Sequence, residues 1–271
     1  MPVRVLYIGE IVGKPGIHCI KKALPLLKEQ HRIDFVIANG EGATGGFGIG
    51  KNHSIQIHKL GVNVITAGEK VYYKKDMVTH IPKSPYLIRA ANFPYGNPGR
   101  GWRTYTAGGM KLAVVVLLGQ SGFQRVHPAN PHLMLPQLAS KLREEHDAII
   151  VDFHACTTAE KANLFYRMDG EVAAILGSHT KALSADGRIL QGGTAVISDT
   201  GRTGSLFGIG GLEPQTEIGK FLTQIPERSK EYWEELELQG AVVEINEKGT
   251  ANEIYTVRFP VSTENRMEDD S

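Results

Sequence analysis

Glutamate recurs behind glycine at the end of three apolar runs: Ile8-Gly9-Glu10, Asn39-Gly40-Glu41 and Ala67-Gly68-Glu69. Two further runs end in histidine, at Asp152-Phe153-His154 and Gly177-Ser178-His179. Carboxylate oxygens and neutral imidazole nitrogens are donors for divalent metal ions. Brought together without a cation, such carboxylates repel one another. They converge if the runs are parallel strands, because ligands of open α/β sheets sit beyond the strands' carboxyl ends. The glycine lets the chain leave each strand sharply, with no Cβ to obstruct neighbouring loops. The bland alternatives are solvated loop acids and backbone-bonded histidines. Recurrence at five strand ends favours a metal site.

The elements that must position these groups are legible in the apolar pattern. β-Branched runs read as strands at 3–8, 35–38, 62–66, 112–118, 148–152, 172–176 and 194–198. Helices read at 16–30, 51–59, 74–80, 129–145, 158–167 and 214–222. In the first helix Ile17, Ile20, Leu24 and Leu27 share one face. Thr157 and Thr158 ahead of Glu160 read as a helix N-terminal cap. Strands separated by helices imply crossovers and a central, largely parallel sheet. Residues 240–246 and 253–259 read as two closing strands joined by a polar turn. The expected organisation is one domain over 1–262 and a frayed acidic tail over 263–271.

Composition narrows the function. The chain has 271 residues, is 41% hydrophobic and carries a formal net charge of +1, so no general attraction to nucleic acid is indicated. Two cysteines, Cys19 and Cys156, make no zinc cluster or disulfide framework. They fit a reducing, cytoplasmic setting. No apolar run approaches the ~20 residues that a bilayer span needs.

Longer motifs carry a resemblance. The segment Tyr7-Ile8-Gly9-Glu10-Ile11-Val12-Gly13-Lys14-Pro15-Gly16 resembles the opening of the YmdB-type bacterial metallophosphoesterases. The likeness continues through Ile37-Ala38-Asn39-Gly40-Glu41, Val64-Ile65-Thr66-Ala67-Gly68 and Ala91-Asn92-Phe93-Pro94. It returns at Val151-Asp152-Phe153-His154-Ala155, Thr158-Ala159-Glu160-Lys161, Gly177-Ser178-His179-Thr180 and Gly192-Gly193-Thr194-Ala195. The resemblance implies a layered α/β sandwich of metallophosphoesterase (calcineurin-like) type and a metal-dependent phosphodiesterase acting on cyclic nucleotides.

The departures fall on the expected ligands. Glu10 stands where the family has aspartate, and Gly42 where it has asparagine. Glu69-Lys70 replaces Asn-His, and Lys181 replaces the last histidine of His-Thr-His. By the resemblance, one ion would take Glu41, Glu69, His154 and His179, a set still able to hold Zn, Mn or Fe. The other ion would lean on Glu10 and Glu41 but has lost two donors. A protonated lysine cannot ligate. Its charge can stand where a cation stood, so Lys70 and Lys181 are expected to neutralise the glutamates or to meet phosphate. Solvated lysines are the bland alternative.

At most one ion is therefore expected, and none is the extreme case. Arg89 and Asn92 are candidate substrate contacts by the same resemblance. Trp102, Tyr72 and Tyr73 can stack on a base, with packing as their default role. The expectation drawn is a degenerate pseudo-phosphodiesterase that binds a protein partner or a phosphorylated ligand in a regulatory or assembly role. The alternative is an active cyclic-nucleotide phosphodiesterase with a mononuclear or relaxed site. A homo-oligomer stays open.

Overall fold

The computed structural model describes residues 2–123 and 125–263. The acidic tail expected over 263–271 therefore lies, apart from Thr263, outside the described residues. In chain order the elements begin β1 (Val3–Ile8), β2 (Glu10–Ile11), α1 (Gly13–Gln30), β3 (Phe35–Asn39), α2 (Lys51–Lys59), β4 (Val64–Thr66), α3 (Lys75–His80) and β5 (Leu87–Ile88). They continue β6 (Trp102–Ala107), β7 (Met110–Leu118), α4 (Pro131–Arg143), β8 (Ala148–His154), α5 (Thr158–Arg167), β9 (Ala174–Ser178) and β10 (Arg188–Ile189). The last are β11 (Ala195–Ile197), β12 (Arg202–Ser205), α6 (Pro214–Thr223), β13 (Leu236–Ile245) and β14 (Ala251–Val261).

The layered α/β sandwich expected is found, built on two sheets where the strand pattern alone read one. The first has eight strands in the order β2-β12-β13-β1-β3-β4-β5, with β14 on β13. The second has six, ordered β10-β11-β9-β8-β7-β6. Strands β1, β3, β4 and β5 run parallel, as do β7, β8, β9 and β11. Each parallel group thus delivers its carboxyl ends to one edge.

The burial pattern explains why one sheet does not suffice. Leu112, Val114, Val116 and Leu118 of β7 pack against Val5, Tyr7, Ile37 and Val64 of the first sheet. The alternate residues Ala113, Val115 and Leu117 pack toward α4 and α5, against Leu135, Leu142, Leu164 and Phe165. Every residue of β7 but Lys111 is buried, so both faces need an apolar cover. On the far side Ile17, Ile20, Leu24 and Leu27 of α1 cover Leu6 and Ile8. The result is a helix–sheet–sheet–helix sandwich. Each large apolar side chain buried this way contributes about 1.5–3 kcal/mol.

Caps tie helices to the loops that matter. α1 starts at Gly13, ahead of the expected position 16, because Pro15 needs no N–H partner in a first turn. Thr157 accepts from Glu160 N at 3.3 Å, as the sequence suggests. The Glu160 carboxylate does not return to the cap. It takes the Gln120 N–H at 2.6 Å and the Ser121 N–H at 3.3 Å, anchoring the loop that leads to Phe123.

Candidate metal centre

The three glutamates come from the first sheet and the two histidines from the second. Glu41 and Glu69 follow β3 and β4, and Glu10 opens β2. His154 ends β8, and His179 follows β9.

Glu69, His154 and His179 converge. The Glu69 Oε2 atom lies 2.7 Å from His154 Nε2 and 3.8 Å from His179 Nδ1. The two ring nitrogens are 3.1 Å apart. In a tetrahedral site with bonds near 2.0–2.1 Å, donors sit about 3.3 Å from one another. The observed triangle brackets that value, so the donors fit a divalent ion. Gly68 makes the approach feasible: a Cβ there would lie 2.5 Å from His154 Cδ2. The glycine's use is thus close packing of the ring, beyond the loop turn expected of it.

His154 is oriented by a buried relay. Ser178 Oγ donates to Asp152 Oδ1 at 2.6 Å, so its hydrogen is committed. Its 2.8 Å contact with His154 Nδ1 must then be accepted from Nδ1–H. In the neutral ring this leaves the Nε2 lone pair aimed at the donor triangle. Asn39 supports the relay from the first sheet, donating to Asp152 Oδ2 at 3.3 Å. A spacing signal for Asp152 exists, since residues two apart on a strand share a face. Ser178 and Asn39 reach it from other strands, and no local pattern reveals them.

The loop carrying His179 is held from beneath. Lys161, 1% exposed, donates to Ser178 O at 2.9 Å and reaches Asp199 Oδ2 at 3.3 Å. Asp199 in turn accepts the Thr180 and Gly201 N–H groups, each at 2.9 Å. This clamp supports a backbone that places two non-glycine residues in the left-handed region, His179 at φ 97° and Lys181 at φ 61°.

The remaining glutamates lie outside that triangle. Glu41 is fully buried, and its carboxylate accepts the Gly68 N–H at 2.6 Å and the Lys70 N–H. It braces the turn that presents Glu69, a use of its oxygens that the expected four-ligand set did not include. Glu10 is 1% exposed, and neither of its oxygens accepts a hydrogen bond among the described residues. Lys181 Nζ stands 3.1 Å from Glu10 Oε1 as an ion pair. Gly42 leaves this carboxylate its room, because a Cβ there would lie 2.8 Å from Glu10 Oε1. The longer Glu10 therefore fills space that a side chain at position 42 would need. Lys70 Nζ pairs with Glu69 Oε1 at 2.8 Å.

Charge follows geometry. Burial, then the Glu69 charge, pushes Glu41 up to about 8. Burial also opposes charge on Glu69, but His154 and Lys70 hold it well below the usual carboxylate range. His154 is raised to about 9: burial lowers it, and the Glu69 charge and hydrogen bond outweigh that. Burial and the neighbouring His154 charge push His179 down to about 3. Protons thus hold the centre together when no metal is bound.

Arg89 and Asn92 are committed elsewhere. Arg89 donates to the carbonyls of Ala90, Asn97 and Pro98. Asn92 brackets Leu118 and Ala129 through their backbones. Both shape loops, and neither touches the donor triangle. Instead a cleft of about 240 Å³ opens beside it, lined by Glu69, Tyr73, Phe123, Arg125, Val126 and His179. Phe123 and Arg125 lie in a loop with no strand or helix pattern to flag them.

Comparison with known proteins identifies the fold and the family. The YmdB-like protein family model matches residues 6–257. The chain is 36% identical over 246 residues to a 2',3'-cyclic-nucleotide 2'-phosphodiesterase of Bacillus subtilis (strain 168), covering 91% of this chain and 92% of that protein. The crystal structure of a novel phosphatase of Mycoplasma pneumoniae matches with a TM-score of 0.90 at 29% identity, covering 99% of this chain and 97% of that one. A 5'-nucleotidase precursor from Thermus thermophilus shares the fold alone, with a TM-score of 0.61 at 10% identity over 96% of this chain and 55% of that one. The sandwich is that of the calcineurin-like metallophosphoesterases, and the chain belongs to the YmdB-like family.

Proposed function

We propose that this protein is a metal-dependent phosphodiesterase acting on cyclic nucleotides, with one divalent ion held by Glu69, His154 and His179. Family membership implies a divalent metal. The observation that carries the mononuclear reading is the pairing of Lys181 with the buried Glu10, beside a donor triangle shaped for one ion. The 36% identical relative named as a cyclic-nucleotide phosphodiesterase supports hydrolysis over the pseudoenzyme expectation. Both cysteines are free thiols, which supports a cytoplasmic setting. No helix among the described residues is long and apolar enough to cross a membrane.

An ion bound there would supply Lewis-acid stabilisation of phosphoryl charge. The chain's own groups do the positioning. Asp152 and Ser178 fix the tautomer and orientation of His154. Glu41 braces the turn bearing Glu69. Lys70, paired with Glu69, offers a cation to a phosphate oxygen; burial opposes its charge, but the Glu41, Glu69 and Glu10 carboxylates outweigh burial and keep it protonated. Lys181 holds the Glu10 carboxylate neutralised, so that it does not repel the substrate.

The test is reconstitution. The purified chain, stripped with chelator and reloaded with Mn, Fe or Zn, is assayed on nucleoside 2',3'-cyclic phosphates alongside metal analysis. Turnover with one equivalent of ion, lost together with that ion in His154→Ala, is the expected result. No turnover with any of these metals would return the protein to the pseudoenzyme reading.

A further inference from the structure

We propose that the cleft beside the donor triangle is a nucleoside subsite, in which Tyr73 and Phe123 take the base of a mononucleotide whose phosphate lies at the donor triangle, with Arg125 reaching a free phosphate oxygen. This rests on the phosphodiesterase reading and names the part of the substrate that the metal donors do not contact. Phe123 is pinned by the two candidate ligand histidines. Its ring lies nearly parallel to His154, at 10° and 6.2 Å between centroids, and edge-on to His179 at 5.1 Å. A base resting on Phe123 is therefore set directly beside the ion-binding atoms. Tyr73 and Val126 extend the same lining with apolar surface. Tyr73 is exposed at 45%, unlike Tyr72, whose hydroxyl is tied to Pro98 O and whose ring packs on Phe93.

An exposed aromatic forgoes the gain of burial, a gain that a flat ligand covering it can recover. Aromatic stacking is tolerant of base identity because every base has a π-face. The charges suit the other end of such a ligand. Arg125 brings a guanidinium, whose fork matches phosphate oxygens. Glu69, the one carboxylate of the lining, is already paired with Lys70 and His154. At about 240 Å³ the cleft falls below the ~300–1,000 Å³ common for drug-sized ligands. That size suits a single base rather than a paired strand.

The test separates this subsite from turnover. Adenosine 3'-monophosphate and glycerol 2-phosphate are titrated calorimetrically into the full-length chain, metal-free and metal-loaded. The nucleotide should bind roughly ten-fold tighter than the base-free phosphate, the size of one stacking contact. Tyr73→Ser and Phe123→Leu should each erase most of that advantage, and Tyr73→Phe should keep it. Arg125→Gln should weaken both ligands alike. Equal binding of the two ligands by the unmodified chain, or a base preference untouched by Tyr73→Ser, overturns the proposal. Tyr73 is exposed, so its variant reads the subsite even where Phe123→Leu disturbs His154. A base preference without turnover would sink the catalytic reading and keep the subsite. Turnover of nucleoside and glycerol cyclic phosphates with equal KM would do the reverse.

Discussion

Replacing Lys181 with methionine strands the Glu10 carboxylate. Glu10 is 1% exposed and has no hydrogen-bond donor among the described residues, so the ammonium at 3.1 Å is its compensation. At that separation the direct attraction is on the order of 5 kcal/mol for an effective dielectric near 20. The lysine side chain is 17% exposed, and water returns part of that energy when the pair is broken. A buried carboxylate left alone should then cost about 2–4 kcal/mol, just below the ~3–5 kcal/mol typical of fully buried pairs. Urea unfolding of the metal-free protein at neutral pH measures it. The double variant Glu10→Gln/Lys181→Met should recover more than half of the loss, because the uncompensated charge is gone. Lys181→His should instead admit a second ion, raising metal content from one equivalent toward two. A loss under about 1 kcal/mol, the range of a surface pair, would refute the compensation argument. So would two equivalents of metal in the unmodified protein.

Other outcomes follow from the same geometry. In the metal-free protein His154 holds its proton up to about 9 and Glu41 up to about 8, both above their unfolded values. Below about 6.5 the depressed His179 works in the opposite direction; above it the native state binds more protons, and stability should fall as pH rises from about 6.5 to 9. A saturating divalent ion displaces those protons and should flatten or reverse the slope in thermal melts. Lys161→Met removes the buried partner of Asp199 and should destabilise by about 3 kcal/mol, with Asp199→Asn partly rescuing it. Loosening of the His179 loop should also weaken metal binding in the Lys161 variant, read by competition with a chromophoric chelator. Gly68→Ala drives a methyl to 2.5 Å from the His154 ring, which should cost about 1–3 kcal/mol and lower metal affinity. Unchanged melting and affinity would show that the ring can move aside.

What was legible in the chain was local. The buried stripe Ile17, Ile20, Leu24 and Leu27 announces α1, and the Thr157 cap announces α5. The strand ends carrying Glu41, Glu69, His154 and His179 were also readable. The second sheet was not. Its edge strand β6 alternates exposed and half-buried residues such as Arg103 and Thr104, a pattern that polar loops share. The run 112–118 is apolar at every position, which hides the two faces it serves. Within the site, Glu41 looks like Glu69 in sequence, each following glycine after a strand. Only the fold decides that one meets backbone N–H groups and the other meets imidazoles. The relay through Asn39, Asp152 and Ser178 spans contacts 113 and 26 residues apart, beyond any periodicity.

The oxygen donor Glu69 hangs from one sheet, whereas both nitrogen donors belong to the other, and 85 positions separate Glu69 from His154. A cation seated there would act as a rivet across the seam of the sandwich. Its grip would depend on how the two halves are stacked, since a slide of one against the other pulls the oxygen and nitrogen arms out of register. Packing changes far down that seam, at Val3 or Leu112, would then retune ion affinity without touching any atom that holds the ion.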